Sequence, residues 1–169
     1  RNFAELGVPG HTAEELAFAD ALSRTYEGAE GIPGIGSKYD PAYAQNVKAL
    51  RAEAGHAMND FLLPLYSGAA FRPGSTDVGD VSWECPTAQI SVAAWPNGCP
   101  GHSWQNVSCD GTDIGRKAAV HAGKVIAAAA IDLFADPSIL DAARAEFAEK
   151  TAEGYTCPIP ADAVPAPLD

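Results

Sequence analysis

A single stretch of alternating residues, set among helical ones, is the feature that most limits what this chain can fold into. Apolar and small polar side chains alternate in the order Thr87, Ala88, Gln89, Ile90, Ser91, Val92, Ala93 and Ala94. A period of two is typical of a β-strand. A lone strand cannot satisfy its own backbone N–H and C=O groups. We therefore predict that its partner strands lie elsewhere and that the chain is part of a longer protein.

Four helices are predicted around this strand, most of them from capping signals at their first residues. Thr12-Ala13-Glu14-Glu15 has the form of a capping box, and Asp40-Pro41 places a capping acid before a proline that suits the first helical turn. The predicted helices begin at Thr12, run from Asp40-Pro41 to about Leu62, cover about Asp113 to Phe134, and continue from Asp136-Pro137 to about Lys150. The segments 28–38, 68–80 and 95–112 are rich in turn-forming residues and are predicted to be loops.

The charge balance excludes two classes of function. The chain carries 11 lysine and arginine residues against 22 aspartate and glutamate residues, a formal charge of −11. A protein that neutralises phosphates needs a concentrated positive surface, so we expect no nucleic-acid partner and no polybasic membrane docking. At 169 residues, one domain over the whole chain is the default prediction.

The cysteines do not settle the redox compartment, although we expect reduced thiols and a cytoplasmic protein. The cysteines fit neither a dense disulfide framework nor the paired spacing of a zinc ribbon; they are Cys85, Cys99, Cys109 and Cys157. No signal peptide is recognisable at Arg1-Asn2-Phe3. The longest apolar run, from Val125 to Ile131, is far shorter than the roughly 20 residues that cross a bilayer.

Two short motifs point only weakly to a function. The glycine-rich segment from Gly31 to Lys38 resembles a phosphate-binding loop, but its order is Gly-Ser-Lys where a P-loop requires Gly-Lys-Ser or Gly-Lys-Thr. Ser75 or Ser103 could be combined with His102 and Asp77 into a hydrolytic triad, yet no Gly-x-Ser-x-Gly sequence places either serine on a nucleophile elbow. We therefore expect neither a nucleotide site nor a serine hydrolase.

Two loop motifs on either side of the predicted strand carry the more informative chemistry. They are Gly74-Ser75-Thr76-Asp77 and Pro100-Gly101-His102-Ser103-Trp104. In the first, glycine lets the backbone approach a ligand, and free amides with the Thr76 hydroxyl can hold a carboxylate. In the second, His102 follows a Pro-Gly turn, so we expect an exposed and constrained imidazole that suits a metal ion. Taken singly, the first motif is also typical of an ordinary turn, and the second of a histidine at the start of a helix.

The other histidines have simpler interpretations. His121 falls on the same helical stripe as Ile114, Ala118 and Val125, which predicts a partly buried helix residue. His11 and His56 lie in polar surroundings, and we expect both to be solvated.

Several ordered motifs together resemble the carboxyl-terminal part of a known family. They are Phe3 to Gly7, Glu14 to Ala19, Gly74 to Trp83, Pro100 to Gln105, His121 to Val125, Asp136-Pro137 and Cys157 to Pro160. This set, which spans nearly the whole chain, is similar to the aminobenzoyl-glutamate utilization protein B group. These are amidohydrolases of the aminoacylase and glutamate-carboxypeptidase clan of two-metal peptidases.

The resemblance implies an α/β fold in which residues 1–169 form the carboxyl-terminal portion of a metallopeptidase-like catalytic domain. That domain has a mixed sheet flanked by helices, and a lid and dimerisation domain that interrupts it in the full protein is absent here. The resemblance further implies two divalent ions, zinc or manganese, that assist cleavage of an amide next to a carboxylate. It also implies a homodimer or a complex with a related subunit.

The family's site residues can be carried over only to matching positions. His102 matches the late histidine that ligates metal, and Gly74-Ser75-Thr76 matches the loop that contacts the substrate carboxylate. Asp77 and Asp80 fall in the same turn and are expected to support the site or to order the loop.

The family's remaining ligands and its general-base glutamate have no match in this chain. We found no His-x-Asp motif near a strand, and Glu14-Glu15 opens a helix, where acidic residues favour the helix dipole. We therefore expect no catalytic residue and at most a partial metal site here. The predicted function is the carboxyl-terminal half of an amidohydrolase acting on aminobenzoyl-glutamate or a similar N-acyl amino acid, inactive by itself. The alternative is a non-catalytic interaction module, or a subunit completed by a partner chain.

Overall fold

A computed structural model describes residues 1–28, 40–66, 76–157, 159–160 and 162–164 of the chain. Helices account for all the regular structure in these ranges. In chain order they are α1 (Asn2–Leu6), α2 (Ala13–Ser23), α3 (Pro41–Ala54), α4 (Val78–Glu84), α5 (Trp104–Asp110), α6 (Asp113–Ala135) and α7 (Pro137–Lys150). The predicted glycine-rich loop at 28–38, most of the loop at 68–80 and parts of the proline-rich tail lie outside the described residues.

The chain divides into two compact units. Unit 1 comprises Arg1–Gly74 and Gln89–Phe134, and unit 2 comprises Ser75–Ala88 and Ala135–Asp169. Helices α1, α2, α3 and α5 and nearly all of α6 belong to unit 1, whereas α4 and α7 belong to unit 2. That residues 1–169 form one portion of a catalytic domain stays a prediction.

The predicted α/β class with a mixed sheet is wrong for the described chain, which is helical and contains no strand in those ranges. Residues 89–94, part of the predicted strand, have no regular secondary structure, and none of their backbone groups is hydrogen-bonded to another described residue. The reason is physical: alternation favours an extended backbone, whereas a strand also requires a second segment at hydrogen-bonding distance.

Capping chemistry explains where the helices begin and end. Thr12 and Glu15 form the predicted capping box, with the Glu15 carboxylate accepting from the Thr12 amide at 2.7 Å and the Thr12 hydroxyl from the Glu15 amide at 3.2 Å. Helix α3 ends at Gly55, not near Leu62, because Gly55 takes a left-handed conformation with φ 72° that suits glycine and terminates a helix.

The two final helices confirm their predictions, but three shorter ones were missed. Helices α6 and α7 occupy nearly the expected ranges. Helix α1 was not predicted, α4 begins inside the predicted loop at 68–80, and α5 lies inside the predicted loop at 95–112. The Ser103 hydroxyl caps α5 by accepting from the Asn106 amide at 3.2 Å, which supports helix formation beside a Gly-Pro-rich turn.

A small apolar cluster joins helices α2, α5 and α6 of unit 1. Its buried members are Ala19 and Leu22 of α2, Met58 after α3, Cys109 near the end of α5 and Ile114 near the start of α6. Cys109 and Ile114 are both fully buried. The cluster therefore fixes the short helix α5 against the rest of unit 1.

Helix α6 is long and apolar enough, by length and composition, to cross a membrane. Mostly buried core helices meet the same criterion, whereas 17% of the apolar window of α6 is buried; the buried residues of α6 are Ile114, Ala118, His121 and Val125. The burial of His121 confirms its predicted place on the apolar stripe. The absence of a membrane partner stays a prediction.

Candidate functional site

His102 is exposed at the turn before α5 and has φ 55°, the one positive φ of a non-glycine residue in the described ranges. A left-handed conformation is uncommon for residues with a side chain, although Asn, Asp and His adopt it more often than most. No described residue hydrogen-bonds the His102 imidazole. The exposed and constrained position expected from the sequence is thus confirmed, and a ligand can reach the ring.

Hydrogen bonds attach this turn to the rest of unit 1. The Ser103 hydroxyl donates to the Pro100 carbonyl at 2.6 Å while it caps α5. On the buried side of α5, the Gln105 amide donates to the Thr25 hydroxyl at 3.3 Å. Since Cys109 of the same helix is in the apolar cluster, both the start and the end of α5 are anchored. The position of the His102 backbone is therefore set by the core of unit 1.

The described residues do not make a complete metal site. They contain no group of three or more His, Cys, Asp or Glu side chains close enough together to hold an ion. A catalytic zinc usually has three protein ligands and one open position. His102 can supply one such ligand, so its predicted role requires donors from outside the described part of this chain.

The loop predicted to contact a carboxylate is described only from Thr76 onward, and Gly74 and Ser75 lie outside the described residues. Thr76 is exposed, and its hydroxyl accepts from the Val78 amide at 3.3 Å at the start of α4. Asp77 is the N-cap residue of α4 but makes no side-chain capping bond. Both side chains are therefore accessible at the surface of unit 2, and their roles stay predictions.

Asp80 is held by the C-terminal part of unit 2. The Tyr155 hydroxyl donates to the Asp80 carboxylate, and the Tyr155 ring stacks on Trp83 with ring centroids 5.4 Å apart. The hydrogen bond to Asp80 is the main cause that raises the pKa of Tyr155 to about 12, because it stabilises the neutral phenol. These contacts fix α4, the helix that directly follows Thr76 and Asp77.

A large open cavity in unit 1 was not anticipated from the sequence. Its volume is about 670 Å³, within the range of small-molecule and cofactor sites. Much of its wall comes from two non-helical runs, residues 59–63 and 91–100. The large apolar side chains Leu62 and Trp95 line it while remaining 38% and 40% exposed.

Two histidines also line this cavity, and each has a buried nitrogen atom that makes no hydrogen bond, although His11 Nδ1 lies 3.6 Å from Glu15 Oε2. His11 Nδ1 and His121 Nε2 make no hydrogen bond in the structure. The prediction that His11 is solvated is wrong, since its side chain is 2% exposed. Lys117 joins α6 to the segment around His11, because its ammonium group donates to Glu15 at 2.7 Å and to the Gly10 carbonyl at 3.1 Å. No local sequence signal indicates a contact between segments so far apart in the chain.

His56 also differs from its prediction. Its side chain is 14% exposed, and Nε2 lies 3.2 Å from the Asp60 carboxylate. It is a partly buried residue paired with an acid, and it does not line the cavity.

Comparison with known proteins gives one informative relative, a subunit of p-aminobenzoyl-glutamate hydrolase from Escherichia coli (strain K12). The chain is 33% identical to it over 98% of the chain's own length. It spans about a third of that relative, 34% of its length, and corresponds to a C-terminal part of it. No family model and no solved structure matches the chain. The similarity confirms the relationship that the ordered motifs indicate: this chain is related to the C-terminal part of that p-aminobenzoyl-glutamate hydrolase subunit.

Proposed function

We propose that this chain is the carboxyl-terminal portion of a metal-dependent amidohydrolase that cleaves aminobenzoyl-glutamate or a similar N-acyl amino acid. The observation that carries the proposal is the 33% identity over 98% of the chain to a protein named for hydrolysis of p-aminobenzoyl-glutamate. Because the chain corresponds to only 34% of that relative, activity is assigned to the complete polypeptide and not to these residues alone.

In this proposal the chain provides contacts for the substrate and one metal ligand. His102 is the ligand, and its exposure on the anchored turn before α5 supports that role. Gly74, Ser75 and Thr76 contact the substrate carboxylate, and the Tyr155 bond to Asp80 steadies the helix that follows them. Two divalent ions, zinc or manganese, complete the centre with donors from the rest of the polypeptide. The enzyme is expected to be cytoplasmic and to act on a small molecule.

The word subunit in the relative's name supports an assembly of more than one chain. We propose a homodimer or a complex with a related subunit. A non-catalytic module completed by a partner chain is the alternative.

The test compares the 169-residue chain with the complete polypeptide that contains it. Both are assayed for release of aminobenzoate from aminobenzoyl-glutamate, after removal of metal with a chelator and after addition of zinc or manganese. We expect metal-dependent hydrolysis by the complete polypeptide only. Hydrolysis that persists without metal would overturn the metal dependence, and no hydrolysis by the complete polypeptide with either metal, alone or with a related subunit, would favour a non-catalytic module.

A further inference from the structure

A second, smaller pocket of unit 1 concentrates positive charge. Its volume is about 380 Å³, and its lining comes from the Pro9-Gly10 segment and from one face of α6. The cations Arg116, Lys117 and Lys124 line it, whereas none of the described residues that line it is acidic. The whole chain has a net charge of −11 and only 11 lysine and arginine residues. Such a group of cations in one pocket is therefore opposite to the charge of the chain as a whole.

Two of these cations are available to a ligand. Lys124 is exposed, and it makes no hydrogen bond or ion pair with any residue that the structure describes. Arg116 Nη1 lies 2.8 Å from the Asp113 carboxylate, but the two side chains are 70% and 65% exposed. An exposed ion pair of this kind contributes little free energy and is easily opened, so the Arg116 guanidinium can turn to another anion.

The third cation ties the two sides of the pocket together. The Lys117 ammonium group donates to the Glu15 carboxylate at 2.7 Å and to the Gly10 carbonyl at 3.1 Å. These bonds attach the Pro9-Gly10 segment to α6, and Glu15 balances the Lys117 charge. The pocket is therefore a part of the folded unit, and its unbalanced positive charge lies on Lys124.

His121 adds a buried nitrogen to the same pocket. It lies four residues after Lys117 and three residues before Lys124, which places all three on one face of α6. His121 lines the pocket and is 7% exposed, and its Nε2 atom makes no hydrogen bond. A buried polar atom without a partner requires an explanation. An anionic ligand provides one, because an imidazole N–H can donate to an oxygen of the anion.

From these observations we propose that the pocket binds a small oxyanion, the phosphate or carboxylate group of a free small molecule. Lys124 supplies the positive charge, Arg116 offers paired N–H donors that match the geometry of either group, and His121 donates from the inner wall. The volume of about 380 Å³ lies near the small end of ligand sites, which favours a small molecule over a polymer. The proposal does not rest on the proposed catalytic function.

Lysine labelling of the complete polypeptide tests the position of the site. The protein is first treated with a chelator, so that phosphate cannot bind at a metal centre. It is then acetylated with and without inorganic phosphate, at an ionic strength held constant with sodium chloride, and each modified lysine is measured by mass spectrometry. Lys48 of α3 is the control, because it is exposed and does not line the pocket.

Phosphate is expected to protect Lys124 selectively. When phosphate is about ten times its dissociation constant, roughly nine-tenths of the sites are filled, so modification of Lys124 should slow by at least about fivefold. Lys48 should react at an unchanged rate. Equal slowing of both lysines, or no slowing of Lys124, overturns the proposal.

A matched pair of variants tests the role of the charge. Lys124→Gln and Lys48→Gln each remove one exposed positive charge from a helix of unit 1, and circular dichroism checks that both fold. Titration calorimetry measures the affinity of each chelator-treated polypeptide for inorganic phosphate and for acetate. We expect Lys124→Gln to weaken binding by at least about tenfold, because hydrogen bonds to charged groups are the stronger ones, and Lys48→Gln to bind as wild type does.

The two ligands distinguish the two chemical groups. Tighter binding of phosphate than of acetate identifies a phosphate-bearing molecule as the ligand, and the reverse order identifies a carboxylate. Binding of neither anion by the wild type, or equal affinity in the folded Lys124→Gln protein, would contradict the proposal. None of these measurements depends on hydrolysis or on bound metal, so the proposed function and this anion site can fail separately.

Discussion

Replacing Gly115 by alanine tests how closely α5 and α6 approach each other. A Cβ atom at position 115 would lie 2.7 Å from both the Cα and the carbonyl oxygen of Asp110, the last residue of α5. These are backbone atoms and cannot rotate away as a side chain could. Gly123 offers a matched control in the same helix, because a Cβ atom there meets nothing within 4 Å.

The two substitutions are expected to change stability in opposite directions. In a helix interior, alanine is favoured over glycine by about 0.5 to 1 kcal/mol, so Gly123→Ala should stabilise by about that amount. Gly115→Ala has at most the same gain, but it forces an overpacked contact that typically costs about 1 to 3 kcal/mol. We therefore expect a net destabilisation of about 1 kcal/mol, and at most about 2.5 kcal/mol, for Gly115→Ala.

Urea unfolding followed by far-ultraviolet circular dichroism measures this difference. Equal m-values in the two variants would show that the midpoint shift reports stability. We expect the free energy of unfolding to be highest for Gly123→Ala, intermediate for wild type and lowest for Gly115→Ala. A Gly115→Ala protein at least as stable as Gly123→Ala would refute the close approach of the two helices.

Two further predictions concern titratable groups. The hydrogen bond from Lys117 lowers the pKa of the Glu15 carboxyl group below its ordinary value of 4.5. The ionised carboxylate therefore stabilises the fold at neutral pH, and this stabilisation is lost as the pH falls below 4.5. Glu15→Gln should therefore lose less stability on acidification than wild type, as measured by unfolding across acidic pH; an equal loss would contradict this. Burial raises the pKa of Cys109 to about 11, so Ellman's reagent at neutral pH should modify the exposed Cys85 and Cys157 first and Cys109 only in denaturant. Rapid modification of Cys109 in the native protein would show that it is not buried.

The helices that the sequence predicted best are those with local signals. Thr12 with Glu15, Asp40 before Pro41, and Asp136 before Pro137 all cap the helices they were expected to begin. A cap is formed by residues two or three positions apart, so it can be recognised without knowledge of the fold. Short helices such as α5 are harder to recognise, because 7 residues give too little periodicity to compete with neighbouring glycine and proline.

Features that depend on distant parts of the chain could not be predicted. The alternation at residues 89–94 indicates an extended backbone but not whether a partner is present, which is why the predicted sheet was wrong. The contacts of Lys117 with Gly10 and Glu15, on either side of His11, join residues more than a hundred positions apart. For the candidate site, the exposure of His102 followed from its Pro-Gly turn, whereas a metal site needs donors that a single motif does not contain.

The central claim is that the His102 imidazole supplies a metal ligand, and the metal content of the complete polypeptide tests it most directly. His102→Asn removes the imidazole while keeping a residue that tolerates the left-handed conformation. His56→Asn is the matched control, because it removes an imidazole paired with Asp60 in the same unit. We predict that His102→Asn loses about one of two bound metal ions and most hydrolysis of aminobenzoyl-glutamate, while His56→Asn keeps both ions. Full metal content and undiminished turnover in a folded His102→Asn protein would contradict the claim.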